Sequence, residues 1–145
     1  LYDRSISCGK IVMMNPTRMY TAVTGIFLLL QGTSTLTFRL VPALDVAFPQ
    51  LLATTQMMPT HSILHIITGV LALIVLLRGE ERGALWFSAG FGTFYTGLAL
   101  YGYITHAATM FHLQMFDHPF HLLLGLLGLV AAGYYFYSNQ KKELA

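Results

Sequence analysis

Charge is scarce in this sequence. Acidic and basic residues make up 10% of 145 positions against 55% apolar ones, which is far from the balance of a water-soluble domain. Cysteine is nearly absent. The lone Cys8 excludes an intrachain disulfide and any CxxC or Cys/His zinc pattern, so it reads as a buried or bystander thiol. The four longest apolar stretches, residues 19–38, 62–77, 84–105 and 119–137, hold no Asp, Glu, Lys or Arg, where an ion pump or proton-coupled transporter would need one. No P-loop, nucleophile elbow, HExxH motif or paired carboxylates occur, so enzyme activity is unsupported. Asn15-Pro16-Thr17 is no glycosylation acceptor, because proline occupies its middle position. Residues 1–17 lack the apolar run of a cleaved signal peptide, and Met13 or Met14 could be the natural start.

What is present points to the bilayer. A hydrocarbon core of roughly 30 Å needs about 20 apolar residues of helix, and the four stretches reach that length, the second with its flanks. The expected fold is therefore all-α, an integral membrane four-helix bundle. Arg4, Lys10, Arg18, Arg78, Arg82, Lys141 and Lys142 fall on one side of it and only Arg39 on the other. By the positive-inside rule both termini and the Arg78 to Arg82 turn are cytoplasmic, and the basic residues report topology rather than nucleic acid. This gives a cytoplasmic segment 1–17, a four-span domain 18–138 and a cytoplasmic tail 139–145, in a bacterial inner or thylakoid-type membrane. The outer connections 40–59 and 107–117 are too apolar for free loops. Pro42, Pro49 and Pro59 interrupt Leu44, Val46, Phe48, Leu51 and Leu52 in the first, and Met110, Phe111, Met115 and Phe116 fill the second, so both are expected to lie along the outer surface as interfacial segments.

The two halves resemble each other. Gly25 and Gly32 match Gly90 and Gly97 at an offset of 65, and His65 and Gly69 match His121 and Gly125 at an offset of 56. The pattern reads as two helical-hairpin repeats, parallel because the first and third spans run the same way. Gly83, Gly90 and Gly97 recur on one face of the third span, where small residues let helices approach, and that span is expected to be central. Trp86, Phe87, Tyr134, Tyr135 and Tyr137 form an aromatic belt at the inner surface.

All six histidines lie in the outer half: His61, His65, His106, His112, His118 and His121. The inner half has none, so a transmembrane electron wire would lack its second haem ligand. His61 and His65 share a helix face about 6 Å apart in height, and His118 and His121 are similarly related. Three ligand chemistries fit. His65 and His121, each followed by a glycine at Gly69 and Gly125, could ligate haem or a chlorophyll-type pigment in the space beside the glycine. His61, His118 and Asp117 could converge with their neighbours on zinc or copper. His65 or His121 with Gln31 and Tyr101 could hydrogen-bond a quinone or a lipid headgroup. The plain alternative is that these rings cap helices and bond interfacial water and phosphate. Asp117 or His118 ahead of Pro119, and Thr60 ahead of His61, have the character of helix caps. Gln31 with Thr33, Ser34, Thr35 and Thr37 suits bonding across helices.

The His-x-x-x-Gly openings, above all His121-Leu122-Leu123-Leu124-Gly125, together with the glycine pairs, resemble a bacterial family of uncharacterised four-helix membrane proteins. The resemblance runs from about Pro16 to Tyr137 and departs at His61 and Asp117, where the family pattern has an asparagine-like cap. It implies the fold and the repeat and no function. The leading functional expectation is a non-enzymatic small subunit of a larger photosynthetic or respiratory membrane complex, packed against other integral subunits and lipid. The alternatives are a haem- or quinone-binding redox protein at the outer face, and an outer-face metal-binding protein.

Overall fold

Proline sets the helix starts in the computed structural model, which describes residues 15–49, 58–105, 113, 115 and 117–143. Arg4, Cys8, Lys10, Met13, Met14, Leu51, Leu52, His106, Met110, Phe111, His112 and Phe116 lie outside the described residues. Helix α1 spans Pro16–Leu40; Asn15 caps it by accepting from the Thr17 N–H at 3.1 Å, with Pro16 in the first turn and Arg39 in the last. Pro42 starts the short α2, Pro42–Ala47, inside the apolar outer connection. Phe48 beyond it rests edge-on against Phe38 of α1, with ring centroids 6.0 Å apart. Helix α3, Pro59–Leu77, is capped by Met58 without any side-chain bond, so Thr60 is not the cap expected of it: Pro59 occupies the first turn and moves the boundary back. Helices α4, Glu81–Thr105, and α5, Asp117–Glu143, each carry a carboxylate in the first turn, where the helix dipole favours it. No strand occurs among the described residues.

The long helices pack in two close pairs, α1 along α3 and α4 along α5; the pairs meet where α1 touches α4 and α5, and α3 touches α4. The interior is polar. Among the described residues ten buried polar side chains, all Thr, Ser or His, outnumber nine buried hydrophobic ones. Large apolar side chains face outward instead, as with Leu30, Leu77, Ile104 and Val130. This distribution is stable where the surroundings are apolar, because helices immersed in lipid gain nothing from hiding leucine and associate through close packing and polar contacts. Pro16–Leu40, Pro59–Leu77 and Asp117–Lys141 are each long and apolar enough to cross a membrane. Helix α4 matches α1 in length, but Gly, Thr, Tyr and Trp dilute its apolar content.

Most buried hydroxyls are satisfied locally. Thr21, Thr35 and Ser88 donate to the carbonyls four residues earlier, at 2.7, 2.8 and 2.8 Å. Thr21 also reaches the Ala84 carbonyl at 3.5 Å, and Ser88 reaches that of Thr17 at 3.4 Å, a reciprocal pair joining α1 to α4. At the same end the Arg18 guanidinium donates to the carbonyls of Gly79, at 2.7 Å, and Leu76, at 3.5 Å. It thereby serves the exposed C-terminal carbonyls of α3, where a cation also meets the negative end of the helix dipole. Gly79, with φ of 75°, ends that helix in the left-handed conformation that glycine adopts without strain.

The glycine frame differs from the one expected. The seven buried residues of α1, Thr17, Thr21, Thr24, Gly25, Leu28, Gly32 and Thr35, correspond one for one to buried residues of α4 at an offset of 67, not 65. Gly25 thus pairs in position with Gly92, whereas Gly90 and Gly97 are exposed with open space around them. Matching glycine to glycine put the register two residues off, because the face that packs is defined by burial and not by residue type. In α3 and α5 the offset of 56 holds: Ser62, His65, Gly69 and Ala72 are buried, as are His118, His121, Gly125 and Gly128. A Cβ on Gly92 would lie 2.8 Å from the Gly125 carbonyl oxygen, and one on Gly69 2.8 Å from that of Gly25. Gly92→Ala is expected to destabilise the isolated chain by about 1–3 kcal/mol, since backbone must move. Gly90→Ala is expected to be neutral or to stabilise by up to about 1 kcal/mol. Thermal unfolding in detergent compares the two.

Candidate histidine site

The i, i+4 spacing of His61 and His65 puts both rings on one face of α3, and His121 reaches them from α5 across the bundle interior, although the two helices do not pack directly on each other among the described residues. Their ring centroids are 4.4 Å apart for His61 and His65, 5.6 Å for His61 and His121, and 6.4 Å for His65 and His121. One ring nitrogen from each lies within 4.8 Å of the others. All three residues are 2% exposed. The site is therefore internal, which sets aside the reading of these rings as caps bonded to interfacial water and phosphate.

Close helix contact fixes the rings from behind. A Cβ on Gly32 of α1 would fall 2.7 Å from the Ser62 carbonyl oxygen and 3.0 Å from the His65 Cβ, so only glycine lets α1 lie this close to the turn carrying His61 and His65. Thr35 and Ser62 share a hydroxyl hydrogen bond of 2.8 Å there. On the other side Tyr95 of α4 meets His121 almost perpendicularly, at 4.8 Å and 87°, and stacks on Phe91 at 4.0 Å.

The hydrogen bonding is incomplete. Both ring nitrogens of His65, Nδ1 of His121, Nδ1 of His118, the Tyr95 hydroxyl, the Thr96 hydroxyl and Oε1 of Gln31 are buried without a hydrogen-bond partner among the described residues. Buried polar groups are nearly always paired, so a concentration of unpaired ones marks a place where something else supplies the partner. A neutral imidazole presents one lone pair to a metal, and three such lone pairs make a known ligand set for transition ions, with a further position open. Metal to nitrogen distances of about 2.0–2.1 Å require nitrogens about 3.3 Å apart. The observed separations reach 4.8 Å, so binding would have to draw the three rings together. The Asp117 carboxylate lies close enough to His61 for its charge to act on that ring. A carboxylate beside a ligating histidine is a recurrent outer-shell arrangement that orients the ring.

The residues singled out in the sequence are distributed as follows. His61, His65 and His121 come together. His118 is buried but turned toward α4, where its ring occupies the space a Cβ on Gly102 would need and lies 5.5 Å from the Tyr103 ring. Gly69 and Gly125 do not leave the room for a macrocycle expected beside them: Leu29 and the Gly25 backbone fill the first notch, and Thr96 and the Gly92 backbone fill the second. Gln31 contributes a buried, unpartnered carbonyl oxygen. Tyr101 is 52% exposed, and the tyrosine at the histidines is Tyr95. The signal that finds Tyr95 is the offset of 67, which equates it with the buried Leu28; the offset of 65 does not. Tyr95→Phe keeps the ring stacking and removes a buried hydroxyl without a partner. It is expected to stabilise the metal-free chain by about 1 kcal/mol, measured by thermal unfolding in a chelating buffer.

A family described as Domain of unknown function (DUF4383) matches residues 18–134, a range that contains His61, His65, His118 and His121. Comparison with curated proteins and with solved structures finds no match for this chain. The family match spans most of the sequence, and the chain belongs to that DUF4383 family.

Proposed function

We propose that this is a four-crossing membrane protein that binds a transition-metal ion on His61, His65 and His121, in the outer half of a bundle made of two parallel hairpins. One observation carries the metal reading: three buried imidazoles on two helices offer nitrogens within 4.8 Å of one another, and those of His65 have no other partner among the described residues. The crossing number is supported by α4 packing on α5 as extensively as α1 packs on α3, with apolar side chains such as Phe94, Leu100 and Ile104 facing outward. The duplication is supported by the buried sets matching at offsets of 67 and 56, and by the reciprocal Thr21 and Ser88 bonds, which a two-fold axis along the bundle would exchange. Arg18, Arg78 and Arg82 sit at the end away from the histidines, which supports a cytoplasmic position for that end and an outer one for the site.

The full chain purified in mild detergent is expected to keep about one equivalent of metal through gel filtration. His65→Ala and His121→Ala are each expected to lower the affinity at least on the order of tenfold, since one of three ligands is lost. Equal metal content in wild type and both variants, by elemental analysis, would overturn the reading.

A second reading, the small subunit of a larger membrane complex, is favoured by a separate observation. Gly90 and Gly97 have open space around them on α4, where the equivalent positions of α1, Val23 and Leu30, carry lipid-facing apolar side chains. A neighbouring subunit's helix can approach closely along such a face. Gly90→Leu is expected to release the chain from any complex it forms in native membranes while leaving the isolated chain folded. Unchanged migration of the variant on native gels would count against this reading.

A further inference from the structure

Resting on the metal-site reading above, we infer that the ion is soft and monovalent, Cu(I), and that Met58 and Met115, just ahead of the two site-bearing helices, receive it. Three features of the donor set lead there. First, the ligands carry no charge of their own. Among the described residues no Asp, Glu or Cys joins His61, His65 and His121, and the carboxylate nearby is that of Asp117, in the first turn of α5. In an apolar interior the cost of burying an ion grows with the square of its charge, so a divalent ion costs about fourfold more than a monovalent one in the Born picture. One carboxylate neutralises one unit of charge and leaves a second uncompensated.

Second, the geometry suits a low coordination number. His121 meets Tyr95, which stacks on Phe91, and among the described residues Gly32 and Ser62 lie behind the turn that carries His61 and His65. A d¹⁰ monovalent copper ion is satisfied by two or three nitrogens. A hard divalent ion would call for oxygen donors in addition, and Zn(II) on three imidazoles takes a fourth ligand, commonly water.

Third, an exposed thioether precedes each of the two site-bearing helices. Met58 precedes α3, and its carbonyl accepts from the His61 and Ser62 N–H groups at 3.0 and 3.1 Å. Met115 stands two residues ahead of Asp117, and the two methionines are 38% and 61% exposed. Thioether sulfur binds Cu(I) and has little affinity for Zn(II), so these side chains discriminate before the imidazoles do. Binding transfers a ligated Cu(I) from thioether to imidazole without a change of oxidation state.

The test uses the full chain in detergent, with Cu(I) kept reduced by ascorbate and held by bicinchoninate, and separately with Zn(II) held by nitrilotriacetate. The expected result is one Cu(I) per chain taken from bicinchoninate, Zn(II) left with its chelator, and a copper-edge X-ray absorption spectrum of three nitrogen ligands without sulfur. Met58→Leu combined with Met115→Leu is expected to slow Cu(I) uptake about tenfold without altering the final stoichiometry. An unchanged uptake rate would overturn the receiving role. Retention of Zn(II) by the same histidines, with Cu(I) left on bicinchoninate, would overturn the cuprous inference and leave the metal site standing. Retention of neither ion by the wild type would overturn both. The absorption spectrum is read on the wild type, so the conclusion survives a histidine variant that fails to fold.

Discussion

Backbone touching backbone at glycine is the contact on which the rest of this structure depends. Gly69 lies against the Gly25 carbonyl, and Gly92 and Gly125 lie against each other's carbonyls, at separations that a side chain on either helix would forbid. In an apolar surrounding, leucine on leucine gives little net gain over leucine on lipid, so close approach of this kind decides which faces meet. His65 precedes Gly69 by one turn and His121 precedes Gly125 by one turn. Each imidazole is thereby held on the packed side of its helix, just beyond the point of closest approach. The histidine cluster follows from where the helices touch.

The polar interior follows from the same constraint. Small residues allow helices to meet, and Thr and Ser are small residues that can also bond across the contact. Thr21 and Ser88 do both, each returning a bond to its own helix and reaching the opposite one. Tyr20 donates to the Leu124 carbonyl at 2.8 Å and ties α1 to α5. Its ring also meets Phe91 edge-on at 6.3 Å, joining the aromatic stack of Phe87, Phe91 and Tyr95 that runs from the arginine end of α4 to the histidines. These contacts are local and directional, and they place the site-bearing turns more exactly than a greasy core would.

Much of this was legible in the sequence, and the misses share a cause. The all-helical character and the approximate bounds of the long helices followed from apolar runs, and the proline-rich first outer connection holds the short α2, a fifth helix among the described residues. His61 and His65 were placed on one face by spacing alone. Helix pairing in space is not written in spacing within one helix, so His61 was separated from His65 and His121, although all three meet. Matching glycine to glycine misplaces the repeat, because glycine is common enough in α4 to offer two registers. Only burial distinguishes Gly92, pressed against Gly125, from Gly90, which faces outward. That slip of two residues also obscures Tyr95, which the offset of 65 equates with the exposed Leu30 and the offset of 67 with the buried Leu28. The spaces beside Gly69 and Gly125 were read as room for a ligand, when a glycine in a helix is as readily room for another helix.

The inferred duplication gives the site its chemical character through the places where the halves differ. His65 and His121 occupy equivalent positions, so a symmetric arrangement supplies two facing imidazoles and no more. The offset of 56 equates His61 with Asp117 and Ser62 with His118, and the offset of 67 equates Leu28 with Tyr95. Each departure falls at the histidine end. The first half adds a third imidazole, and the second adds a carboxylate that acts on it and a tyrosine that buttresses His121. Had His61 been repeated in the second half, four imidazoles and no anion would face one another across the helices, and a bound cation would have no countercharge. Had Asp117 been repeated instead, two carboxylates would repel each other in an apolar setting and only two imidazoles would remain. Keeping one of each yields three imidazoles and one carboxylate, a combination that a two-fold arrangement of identical halves cannot reach.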